Sequence, residues 1–141
     1  MFDSTIDAAT IQAYRETEYR VHGDEPFTLR IGEASPVLAA VHKRHRVVSS
    51  AYVTAYNPYS QALDDAANAQ RHAKLGQELC QRSLVAIEGV GRHPSNGWAG
   101  ETSYLILGLT LEAAKVLGAC HQQNAIVWSD VDVVPQLILL R

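Results

Sequence analysis

Cysteine is scarce in this sequence: Cys80 and Cys120 are the only two in 141 residues. Two thiols without metal-ligand spacing exclude a disulfide framework and a thiolate metal site, so reduced, packed side chains are expected. No segment holds the roughly 18 consecutive apolar residues that a spanning helix needs. The first residues lack the basic stretch and apolar run of an export signal, and a cytoplasmic location is the expectation. Positive charge is also in short supply, with 12 Lys and Arg against 15 Asp and Glu and a net charge of -3. Global attraction to nucleic acid or to an anionic membrane surface is therefore absent.

What is present suffices for one core. At 141 residues and 47% hydrophobic content, the chain is the length of a single domain, expected to cover residues 1–141. Ser4 and Asp7 cap an expected N-terminal helix within residues 1–22, stopped by Gly23 and Pro26, ahead of a sheet core over residues 27–141. Ser35-Pro36 opens a second helix, Asp64 a long third one and Thr110 a fourth. Strands are expected over residues 27–31, 51–56, 84–87, 104–109, 125–128 and 137–140, where short apolar runs meet turn residues. The order implies an α+β fold close to α/β: a mixed sheet with parallel helical crossovers and one hairpin, helices packed on the sheet.

In that topology the strands near Phe27, Ala51 and Leu84 point one way and end on one edge. The turn Asn57-Pro58-Tyr59-Ser60, the loop over residues 89–101 and the pair Gln123-Asn124 then converge there, the usual place for a ligand in an open sheet. Asn57 and Ser60 read either as turn caps or as groups that orient a ligand. Asn68 and Arg71 share a helix face, where the guanidinium could hold a carboxylate or phosphate. Arg92, His93 and Trp98 make the long loop adhesive, and Trp98 offers a stacking surface. Glu101 is the candidate acid/base if its carboxyl is partly buried, or else the partner of Arg71 or Arg92.

Other motifs are weaker. Gly89-Val90-Gly91 matches no dinucleotide or Walker pattern, so no cofactor is expected. His42 and His45 share a helix face but are flanked by Lys43, Arg44 and Arg46, which repel a cation; no metal site is expected, and the run reads as a helix-end charge cluster. The leading expectation is a small anionic or nucleotide-like ligand in the polar pocket. The alternative is a protein-interaction module in which the same residues are structural.

Thr54-Ala55-Tyr56-Asn57-Pro58-Tyr59-Ser60, Asn68 with Arg71, Gly89-Val90-Gly91, Trp98, Glu101-Thr102-Ser103 and Gln123 through Trp128 together resemble the bacterial family of domain of unknown function 3293. The likeness runs from Tyr14 to Trp128. It implies a small bacterial cytoplasmic protein and brings no activity or catalytic residue with it.

Overall fold

The computed structural model describes residues 4–141. Residues 1–3, part of the stretch in which an export signal was sought, lie outside the described residues. Four helices, α1 (Ala8–Glu16), α2 (Pro36–His45), α3 (Asp65–Gln81) and α4 (Leu111–Cys120), accompany seven strands. The strands are β1 (Glu18–Val21), β2 (Phe27–Leu29), β3 (Ser50–Thr54), β4 (Ala86–Arg92), β5 (Glu101–Leu107), β6 (Ala125–Ser129) and β7 (Gln136–Leu139).

They form one sheet in the order β2-β1-β4-β5-β3-β6-β7. Every neighbouring pair is antiparallel, which corrects the expectation of a mixed sheet with parallel crossovers. The strands β2, β3 and β4 do share one direction, as the helical connections require. They are not neighbours, because β5 folds back between β4 and β3 while β1 enters between β2 and β4. A crossover helix fixes the sense of the strands it joins, but not which strand fills the space between them.

Helix boundaries follow local chemistry. Ser35, Asp64 and Thr110 each accept a hydrogen bond from a backbone N–H three residues on (Leu38, Ala67 and Ala113), a cap worth about 1 kcal/mol. At α1 the Asp7 side chain caps nothing; Ser4 Oγ accepts from Ile6 N and donates to the Arg141 carbonyl at 2.6 Å. That helix stops at Glu16, earlier than expected, because Thr17 turns extended. Glu18-Tyr19-Arg20-Val21 then alternates exposed and buried side chains as β1.

Alternation along the strands gives the sheet two apolar faces. Ala51 and Val53 of β3, Ile106 of β5 and Ile126 of β6 pack beneath α3 and α4 through Leu75, Leu79, Ala114 and Leu117. Tyr19, Val21, Tyr52, Leu105 and Val127 point the other way, under α2 through Leu38 and Val41. The second face continues upward into space lined by α1, where the candidate site lies. Cys80 and Cys120 are free and exposed rather than packed. Among the described residues no helix is long and apolar enough to cross a membrane.

Candidate functional site

The site begins where β3 ends. Asn57, Tyr59 and Ser60 all have left-handed backbones, with φ of 46°, 55° and 58°, around Pro58. For residues with a side chain each such conformation costs on the order of 1 kcal/mol, so the turn has to be held from outside. Asn68 of α3 does so with a reciprocal amide pair: its Oδ1 accepts from Asn57 N at 2.9 Å and its Nδ2 donates to Asn57 Oδ1 at 2.8 Å. Leu63 N also donates to Asn57 Oδ1, and Tyr59 N donates to the Gln122 carbonyl. Ser60 Oγ hydrogen-bonds Tyr14 Oη of α1, and Asn124 Nδ2 reaches both oxygens, at 3.1 Å from Tyr14 and 3.3 Å from Ser60.

With its carbonyl occupied, Asn57 has its Nδ2 free to donate to Glu101 Oε2, at 2.6 Å. Trp98 Nε1 donates to the same oxygen at 3.3 Å. Among the described residues nothing donates to Glu101 Oε1, and no lysine or arginine forms an ion pair with the carboxyl. Burial pushes the Glu101 carboxyl above its ordinary value, against the opposing pull of the Asn57 and Trp98 hydrogen bonds.

Glu101 lines a cavity of about 310 Å³ between α1 and the sheet. Strand register builds its floor. Tyr19, Gly91 and Glu101 stand in one row across β1, β4 and β5, and the missing side chain at Gly91 opens the floor between the other two. A second row places Ser103 beside Thr54, and a third sets Tyr52 beside Val127 and Leu137. The rings of Tyr19 and Tyr52 meet edge to face, with centroids 5.3 Å apart, and their hydroxyls donate to the Tyr14 and Arg20 carbonyls. Burial pushes both phenols up, so they stay uncharged.

His93 fastens the loop at the mouth. Its Nδ1 accepts from Ser95 N and Asn96 N, which assigns the ring proton to Nε2, and Nε2 then donates to Glu16 Oε1 of α1 at 2.9 Å. This loop is shorter than the sequence suggests. Residues 89–92, read there as its start, belong to β4.

Six of the sequence-derived site residues form one connected group: Asn57, Ser60, Asn68, Trp98, Glu101 and Asn124 are linked through the contacts above, with Tyr14 and the turn backbone completing the chain. Asn57, Ser60, Trp98 and Glu101 line the cavity, while Asn68 and Asn124 support the turn from behind. Arg71 is elsewhere. Its Nε donates to the Ala55 carbonyl at 2.7 Å and its Nη2 to the His121 carbonyl at 2.6 Å, tying α3 to the end of β3 and to the α4–β6 turn. Arg92 is exposed at the end of β4 and does not line the cavity. His42, from the basic run, is buried on Ser50 Oγ, and burial lowers its pKa.

Sequence reasoning missed Tyr14, Tyr52, Thr54 and Ser103 as lining residues. The signal for two of them was the alternation of Tyr52 and Thr54 with Ala51 and Val53, which marks a polar-aromatic face. A family model described as protein of unknown function (DUF3293) matches residues 53–126, slightly more than half of the chain. The match spans the turn, Asn68, Glu101 and Asn124, and leaves out α1 and β1. No curated protein and no solved structure matches the chain.

Proposed function

Because the chain belongs to the DUF3293 family, whose description names no activity, its role has to be argued from its own side chains, and we propose that it binds a small molecule in the cavity beneath α1. In this reading Glu101 is the group that exchanges a hydrogen bond or a proton with the ligand. The observation that carries it is the state of that carboxyl: it is partly buried on the cavity wall, one oxygen holds two donors, and among the described residues the other has none. Burial raises the pKa of this carboxyl, which favours its protonated form and equips it to exchange a proton in acid/base work.

The anionic and nucleotide-like ligands expected from the sequence lack a counter-charge here, since among the described residues no lysine or arginine lines the cavity. An uncharged or cationic molecule suits the lining better. The rival interaction-module reading describes what Asn68 and Arg71 do, because both lock loops together. It makes no use of the Glu101 carboxyl that faces the cavity. The exposed free thiols agree with a reducing, cytoplasmic setting, which belongs to the same proposal.

A fragment screen by thermal shift tests the reading, with Gly91→Val as the control. A Cβ at Gly91 meets only ordinary contacts, the nearest 3.7 Å away on the Tyr19 ring, so Gly91→Val is expected to fold, as its unliganded melt checks, while its side chain occupies the cavity floor. Fragments that stabilise the wild type and not Gly91→Val support the proposal; stabilisers equally effective on both contradict it.

A further inference from the structure

The lining has an imbalance of donors and acceptors that points to a ligand class. The hydroxyls of Tyr19, Tyr52, Thr54 and Ser103 each donate to a backbone carbonyl, those of Tyr14, Arg20, Thr102 and Glu101 respectively. The Trp98 indole N–H goes to Glu101 Oε2, and the His93 ring N–H to Glu16. These polar hydrogens are therefore taken up inside the protein, whereas the Thr10 hydroxyl and the Asn96 amide, which also line the cavity, donate to no group among the described residues. What the engaged groups leave toward the cavity is oxygen lone pairs, with Glu101 Oε1 the most strongly accepting of them.

Charge leads in the same direction. Among the described residues the lining contains one carboxylate side chain and no lysine or arginine. The arginine nearest in sequence logic, Arg71, is held on two backbone carbonyls, and Arg92 is exposed to solvent. An anionic ligand would face Glu101 with no cation to separate them. Ring and alkyl carbon from Tyr19, Tyr52, Val127 and Leu137 contributes the apolar part of the wall.

We propose that the ligand of this cavity is a protonated amine on an apolar or aromatic body, with its N–H groups donated to Glu101 Oε1 and the body against the tyrosine pair. This rests on the cavity reading above and narrows it. An ammonium group supplies three donors and no acceptor, the complement of the engaged hydroxyls of Tyr19, Tyr52, Thr54 and Ser103 and of Glu101 Oε1. Its charge compensates the partly buried carboxylate, and aromatic faces nearby add cation–π attraction. A volume of about 310 Å³ suits a single-ring amine and lies at the small end of ligand pockets.

Three probes of one shape and different charge separate this inference from its premise: phenethylamine, 2-phenylethanol and phenylacetate, titrated calorimetrically into the full chain. The amine is expected to bind roughly tenfold or more tightly than the alcohol, with phenylacetate weakest. In Glu101→Gln the amine and the alcohol should bind about equally. Should that variant fail to fold, the Trp98 indole resonance of the wild type serves instead, because its N–H lies on the Glu101 carboxyl; the amine should shift it more than the alcohol does. Alcohol or acid binding as tightly as amine overturns the amine inference and leaves the cavity reading standing. An amine preference that survives Glu101→Gln overturns the assigned acceptor, and failure of all three probes to bind removes both proposals.

Discussion

A single carboxyl decides most of what this site can do. Glu101 is harder to ionise in the folded protein than in the unfolded chain, so between the two pKa values the native state holds a proton that the unfolded state has released. Its stabilising contribution is complete below the ordinary glutamate range and is lost as pH rises through the raised value. Glu101→Gln, neutral throughout and able to keep accepting from Asn57, should therefore gain stability relative to wild type as pH is raised from about 4 to about 8. Urea melts across that range check it; a constant or shrinking difference would contradict the assignment. Residue type made Asn57, Ser60, Trp98 and Glu101 legible as site candidates, since short amides, a hydroxyl, an indole and a carboxylate at strand ends seldom serve packing alone. Arg71 was misplaced because a guanidinium reaches several ångströms, and sequence does not say whether carbonyls or a ligand lie within that reach. Replacing Arg71 by alanine removes charge-assisted bonds to two carbonyls, with an expected cost of about 2–4 kcal/mol in a chemical melt. A loss under about 0.5 kcal/mol would show those bonds to be replaced by water.

At the scale of elements, the informative strands are β1 and β4. Four residues of alternation, Glu18 to Val21, follow a helical pattern without a glycine or proline between them, so β1 was absorbed into the helix. Residues 89–91 were read as loop for the opposite reason, because glycine ordinarily weakens strands. Here glycine is required by close approach. A Cβ at Gly89 would lie 2.0 Å from the Arg20 carbonyl oxygen and 3.0 Å from the Tyr52 hydroxyl that donates to it. Gly89→Ala should consequently cost about 3 kcal/mol or more, disturbing the β1–β4 pairing, whereas Gly91→Ala should stay within about 1 kcal/mol of wild type. Thermal or urea melts of the two variants decide the matter, and equal effects would mean that the strands can part to admit a side chain.

Across the whole molecule, helices on both faces of one antiparallel sheet divide the work. The α3–α4 face is a closed apolar core, and the α1–α2 face is closed under α2 and open under α1. Strand sense, and with it the edge where Asn57, Glu101 and Asn124 gather, was legible from crossover lengths and hairpin geometry. Strand order was not, because it depends on β5 and β1 entering between strands of like direction, a choice settled by packing over the full sheet rather than by any local run. The most direct test of the account is an amide NMR titration with fragments that stabilise the protein. The account predicts shifts concentrated on Tyr14, Tyr52, His93, Trp98 and Glu101, drawn from α1, β3, β5 and the mouth loop, with the outer surfaces of α3 and α4 unchanged. Shifts centred on α3 and α4, or scattered over the sheet without a focus beneath α1, would contradict it.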